Sequence, residues 1–233
     1  MPISHNLNII FIHIPKTGGG TIEKSLGIFG EDNNGSLKVN YDILYGKDDD
    51  KLLQHFTLQN IKITKQNEFN KYRKISFVRN PYDRMVSEYL WRTQIYGKRQ
   101  IEFKQYIFEE AIPRKNGENV FVKNFYKDEN LVPLMDIHYL DQYKFLINKY
   151  GNIDIDFIGK FENLEEDFFK IFNFKIAETK IHKSKSNYLY YLYKKIIPVL
   201  LREKAYRKFY DNETKDLIEN EYAEDLKYFN YSF

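Results

Sequence analysis

Phe11-Ile12-His13-Ile14-Pro15-Lys16-Thr17-Gly18-Gly19-Gly20-Thr21 decides the reading, because an apolar run breaks into a lysine, a hydroxyl and three consecutive glycines before a second hydroxyl. Asn8 to Ile14 has the β-branched and aromatic content of a strand buried on both faces, and Thr21 to Phe29 suits a helix. The turn between them reads as a phosphate cradle. Glycines without Cβ let successive N–H groups converge on anionic oxygens, and the following helix adds unpaired donors at its N-terminus. Lys16 supplies a mobile positive charge.

Working outward, strand-like and helix-like segments alternate, which favours a parallel sheet covered by helices. A second unit is expected from a strand at Leu52 to Phe56 and a polar helix from Thr57 to about Gln66. The third is the clearest: Lys74 to Val78 as strand, Asn80 as helix N-cap, Pro81 as first helical residue and Asp83 in the first turn. Met85, Val86, Tyr89, Leu90 and Thr93 then recur on one helical face. The fourth runs from Ile153 to Phe161, with Asn163 and Glu166 spaced as a capping box before a helix at Phe168 to Phe172. Between the third and fourth lies an aromatic and charged insertion, about 95–150, long enough to be an acceptor-binding region. Beyond Thr179 a basic loop leads to two helices broken at Pro198 and ending near Tyr228.

Composition narrows the function. A chain of 233 residues can bury one substantial core. Thirty-six basic against thirty-three acidic side chains give a net charge of +3, too balanced for wholesale nucleic-acid binding. No cysteine is present, which excludes disulfides and thiolate metal sites and suits a cytoplasmic setting. No apolar run reaches the length of a membrane span, and the N-terminus reads as a strand rather than an export leader. Lys194 to Arg202, apolar with flanking bases, fits a buried helix pair better than a peripheral membrane contact.

The lysine precedes the glycines, unlike the nucleotide-triphosphate pattern in which Gly-Lys-Ser/Thr closes the loop. Two matches point elsewhere. Pro15 to Thr21 resembles the 5'-phosphosulfate loop of the sulfotransferases. Arg79-Asn80-Pro81-Tyr82-Asp83-Arg84-Met85-Val86-Ser87-Glu88-Tyr89 resembles their 3'-phosphate-binding strand and helix. Asp156 to Leu164, with Asp167 and Phe168, resembles a further segment of the carbohydrate group that includes heparan sulfate 2-O-sulfotransferases and many bacterial relatives.

The resemblance implies an α/β, P-loop-like three-layer fold with a central parallel sheet flanked by helices. It also implies one sulfotransferase domain over 1–233, with a helical C-terminal tail at about 187–233. The implied donor is 3'-phosphoadenosine 5'-phosphosulfate, and the implied reaction is in-line sulfuryl transfer to a carbohydrate hydroxyl with no metal. Thr17, Gly18, Gly19, Gly20 and Thr21 would hold the 5'-phosphate, Lys16 would stabilise the leaving group, and Arg79 with Ser87 would anchor the 3'-phosphate. His55 corresponds to the catalytic base, with His138 as second candidate, while His13 is expected to be a packed, hydrogen-bonded side chain. Lys183, Lys185 and Ser186 resemble the late loop that closes over the donor, and Ser184 departs from the asparagine of many relatives. Two alternatives stay open: a nucleotide-dependent phosphotransferase of P-loop type, and a protein that binds adenosine bisphosphate or glycan without turnover.

Overall fold

The computed structural model describes residues 3–26, 29–31, 37–39, 55–95, 101–117, 137–176 and 205–233. In chain order these form β1 (Ile3–Ser4), β2 (Ile9–Ile12), α1 (Gly19–Ser25), β3 (Phe29–Glu31), β4 (Leu37–Val39), α2 (Leu58–Thr64), α3 (Gln66–Lys71) and β5 (Arg73–Val78). There follow α4 (Pro81–Ile95), α5 (Phe103–Tyr106), α6 (Ile112–Lys115), α7 (Gln142–Leu146), β6 (Phe157–Lys160), α8 (Leu164–Phe172), α9 (Asn212–Glu221) and α10 (Ala223–Phe229). They fall into two compact units, Met1–Arg79 with Asp141–Glu178, and Asn80–Leu140 with Thr179–Phe233.

The first unit is built on a mixed sheet in the order β1, β2, β5, β6. β2, β5 and β6 run parallel, with Phe11 opposite Ile75 and Ile75 opposite Phe157, and β1 adds an antiparallel edge. Every residue of β2 is buried, as the unbroken Ile-Ile-Phe-Ile run requires of a strand covered on both faces. Ile9, Phe11, Ile75 and Phe77, alternating along two neighbouring strands, share one face and pack with Ile22 and Leu26 near α1 and Phe168 of α8. Close approach fixes Gly159 in β6, where a Cβ would fall 2.3 Å from Phe77 Cε1.

Several boundaries differ from expectation. α1 starts at Gly19 and ends at Ser25, and Phe29 belongs instead to a small antiparallel hairpin of β3 and β4. The second strand fails in its described part: His55 and Phe56 lie in a turn and coil before Thr57, which caps α2. Leu52 to Gln54 lie outside the described residues. β6 is shorter than expected because Ile153 pairs with Ile147 in an isolated bridge, and Asp156 turns its carboxylate to accept the Lys74 N–H at 2.6 Å. Asn163 makes no side-chain cap to α8. Asp167, one turn inside the helix, reaches back to accept the Lys160 N–H at 2.8 Å.

The second unit is helical among its described residues. Asn80 caps α4 as the sequence suggests, its Oδ1 accepting the Tyr82 N–H at 3.0 Å, while its Nδ2 donates to the Ser232 carbonyl at 2.8 Å. Tyr82, Met85 and Val86 of α4 join Phe103, Tyr106, Ile107, Tyr139, Tyr206, Ile218 and Tyr222 in one core. α5 passes into α6 through a π-helical turn, Ile107–Ala111. Asp211 and Thr214 cap α9 reciprocally, a box the sequence reading overlooked. Among the described residues no helix is long and apolar enough to cross a membrane.

Candidate donor-binding site

The site of the first unit grows from the end of β2. Lys16 adopts a left-handed backbone, φ +68°, and Gly18 another, φ +87°. Such angles cost a non-glycine residue about 1–2 kcal/mol, so the turn holds Lys16 in a conformation that its side chain does not favour. The Thr17 hydroxyl donates to the Ile14 carbonyl at 2.9 Å and the residue is fully buried, so it closes the turn and leaves its backbone N–H as its contribution to a ligand. Thr21 spends its N–H on the Gly18 carbonyl at 3.0 Å. The N–H groups of Thr17, Gly18, Gly19 and Gly20 have no backbone acceptor among the described residues. Gly20 is exposed, and a Cβ there would meet nothing within 4 Å. Four N–H groups without a backbone acceptor, beside an uncrowded Gly20, suit an anionic oxygen cluster.

Under the loop lies His13. Its Nδ1–H donates to Glu23 Oε1 at 2.5 Å, its ring stacks on Phe11 at 5.5 Å, and both partners of the ion pair are buried. The expectation of a packed, hydrogen-bonded histidine is what the structure shows. Glu23 was not anticipated, because an acid on a helix ten positions away reads as a surface residue until the helix is placed.

His55 is half-buried beside this pair. Its Nδ1 lies 3.0 Å from the His13 carbonyl oxygen, and its ring meets that of His13 edge to face at 4.7 Å. A carbonyl only accepts, so Nδ1 carries the proton, and in the neutral ring Nε2 is the basic nitrogen.

Arg79 closes the other side. At the carboxyl end of β5 its backbone is clamped by the buried Gln142 side chain, which accepts the Arg79 N–H at 2.9 Å and donates to the Arg79 carbonyl at 2.8 Å. The guanidinium donates Nη1 to the Lys16 carbonyl at 3.0 Å and lies 4.1 Å over the Phe161 ring. Stacking on Phe161 and the bond to Lys16 orient a planar guanidinium, whose fork geometry matches a phosphate. Gln142 had no signal in the sequence beyond its position in a short amphipathic segment.

Ser87, partly buried on α4, belongs to the second unit. So does His138, whose Nδ1 donates to Glu88 Oε2 at 2.8 Å while its ring stacks on Trp91 at 5.2 Å. Glu88 is buried and accepts from Arg92 Nε at 2.6 Å, and the Arg92 guanidinium lies 4.9 Å over Tyr139. Burial opposes the charged Arg92, yet the neighbouring Tyr139 and Glu88 leave its pKa raised. Burial also drives the Tyr106 hydroxyl, hydrogen-bonded to that of Tyr139 at 2.9 Å, well above the usual phenol range. Lys183, Lys185 and Ser186 lie outside the described residues. Among the described residues no cluster of three His, Asp or Glu side chains is arranged to hold a metal ion.

Carbohydrate sulfotransferase 9 of Homo sapiens is 29% identical over 171 residues, covering 68% of this chain. The aligned region is 37% of that relative's length, so the chain spans well under half of the curated protein it matches. No solved structure gives a significant match. The family model described as Sulfotransferase family matches residues 1–232, and the chain belongs to the sulfotransferase family.

Proposed function

We propose that this protein transfers a sulfuryl group from 3'-phosphoadenosine 5'-phosphosulfate to a hydroxyl of a carbohydrate acceptor, on a P-loop-like three-layer fold. One observation carries the reading. The carbonyls of His13, directly after β2, and of Lys16, in the turn that follows, receive His55 and Arg79 respectively. The phosphate loop therefore organises a basic nitrogen and a guanidinium around itself. Uncommitted N–H groups, open space over Gly20 and a planar cationic fork are the donor set that a nucleotide with separate 5' and 3' anionic groups requires.

When bound, the donor supplies an activated sulfuryl group with adenosine 3',5'-bisphosphate as its leaving group. The chain's own residues have the following roles. The N–H groups of Thr17 to Gly20 hold the 5'-phosphate, with Thr21 at the loop's end. Arg79 orients the 3'-phosphate, and Ser87 is a further ligand to it by resemblance. Lys16 places positive charge where the leaving oxygen becomes anionic. His55 takes the acceptor proton at Nε2 while Nδ1 stays bonded to the His13 carbonyl, so the ring keeps its orientation as it becomes charged. The carbohydrate class of the acceptor follows the named relative. Lys183, Lys185 and Ser186 are assigned to donor closure by sequence resemblance.

Calorimetric titration with adenosine 3',5'-bisphosphate tests this, using wild type and Arg79→Ala with magnesium-ATP as comparison ligand. Binding that prefers the bisphosphate and depends on Arg79 is expected. Preference for magnesium-ATP would move the protein to phosphotransfer. Bisphosphate binding without turnover across a glycan panel, with His55→Ala indistinguishable from wild type, would make it a binding protein.

A further inference from the structure

We propose that Glu23 is a positioning residue: acting through His13, it fixes the orientation of the His55 imidazole and the floor of the glycine loop in one arrangement. The functional consequence rests on the sulfotransferase reading above; the structural coupling does not.

His13 touches three parts of the site at once. Its carbonyl oxygen is the acceptor for His55 Nδ1–H, and its ring forms the wall against which the His55 ring stands at 4.7 Å. Its far edge lies directly beneath the loop, where a Cβ on Gly19 would fall 1.9 Å from His13 Nε2. What holds this ring is Glu23, the fifth residue of α1, through the 2.5 Å bond from Nδ1–H. Glu23 is fully buried and its Oε2 has no hydrogen-bond partner among the described residues. Burying a carboxylate with one bare oxygen is costly, and a hydrophobic side chain would fill the same space more cheaply. The acid is therefore out of place as packing, and its one hydrogen bond among the described residues is with the residue that sets both the base and the loop. Without that contact the His13 ring loses its polar anchor about χ2, so that packing alone holds its edge under Gly19 and the wall it makes behind His55.

The test is nitrogen-15 imidazole spectroscopy of the full chain without ligand, paired with bisphosphate calorimetry, on Glu23→Met and Glu23→Gln. Wild type is expected to show His55 protonated at Nδ1 alone once neutral. Glu23→Met, which removes the acceptor at similar volume, is expected to move the His55 ring resonances as the His13 ring against them turns, while the His13 carbonyl keeps His55 in the Nδ1–H form, and to weaken bisphosphate binding about tenfold. Glu23→Gln keeps an acceptor and is expected to restore the wild-type His55 resonances. A folded Glu23→Met protein whose His55 signals match wild type overturns the proposal, whatever its affinity. Should Glu23→Met not fold, Glu23→Asp, which withdraws the acceptor by one methylene, is read in the same way. A wild type that ignores the bisphosphate while its His55 responds to Glu23→Met refutes the sulfotransferase reading and leaves the coupling standing.

Discussion

Gly19→Ala and Gly20→Ala add the same methyl group to neighbouring residues and are expected to diverge. At position 19 the new Cβ falls 1.9 Å from His13 Nε2 and 2.1 Å from Cδ2. Relaxed carbon contacts lie near ~3.5–4.0 Å, so the ring has to retreat by roughly 1.5–2 Å. It has little room, with Glu23 at 2.5 Å, Phe11 stacked at 5.5 Å and His55 at 4.7 Å. Overpacking of this kind costs about 1–3 kcal/mol, and weakening a charged buried hydrogen bond about 1.5–3 kcal/mol more. A loss near 3 kcal/mol lowers the urea midpoint by about 1 M for a slope of about 3 kcal/mol per molar. At position 20 the methyl meets nothing, and the change is expected to be neutral or to stabilise by up to about 1 kcal/mol through helix propensity. Gly20 itself supplies one of the loop's uncommitted N–H groups, so a methyl beside it is expected to lower bisphosphate affinity about tenfold at wild-type stability. Urea melts and calorimetry read both effects. Coincident midpoints for the two variants, or a Gly19→Ala protein as stable as wild type, would refute the placement of the His13 ring.

Three further outcomes are expected. Glu88→Ala removes the carboxylate that pairs with the buried Arg92 guanidinium and accepts from His138, and is expected to cost about 3–5 kcal/mol; a thermal melt showing a loss under about 1 kcal/mol would contradict the buried pair. Asn80→Ala removes the cap of α4 and the tie to the Ser232 carbonyl and is expected to cost about 1–2 kcal/mol in the same assay, with Asn80→Asp retaining the cap. Burial raises the Asp156 carboxyl, but hydrogen bonds and charge from Lys74 outweigh it and hold the pKa below the ordinary 3.8. A depressed carboxyl contributes stability above 3.8 that is lost as pH falls through the folded value, so Asp156→Ala is expected to be less stable than wild type near neutrality. The two urea midpoints should converge in acid below 3.8, and a gap that widens there would reverse the assignment.

The strand, turn and helix at the glycines, and the β5 to α4 junction at Asn80-Pro81, were legible because each combines an unbroken apolar run with residues that permit few backbone alternatives. The sulfotransferase family was legible from the same two segments, while narrowing it to the heparan sulfate 2-O group rests on motif likeness alone. Local reasoning erred where a partner from elsewhere in the chain took over. Asn163 and Glu166 have the spacing of a capping box, yet Asp167 reaches back to Lys160 and no box forms. His55 sits in Leu52-Leu53-Gln54-His55-Phe56, which reads as a strand, but its ring is drawn to the His13 carbonyl, and His55 itself lies in a turn. Glu23 and Glu88 could not be picked out from thirty-three acidic residues, because burial rather than spacing distinguishes them.

The left-handed backbone at Lys16 bears on how this loop can evolve. Replacement by glycine would relieve about 1–2 kcal/mol of strain, against about 0.5–1 kcal/mol of added chain entropy in the unfolded state, so selection for stability alone does not favour the lysine. A lineage released from the need for the ammonium group would be expected to drift toward glycine or asparagine at this position. Lysine persisting at φ +68° is therefore a marker of retained chemistry, one that can be sought in any relative whose turn keeps the same shape.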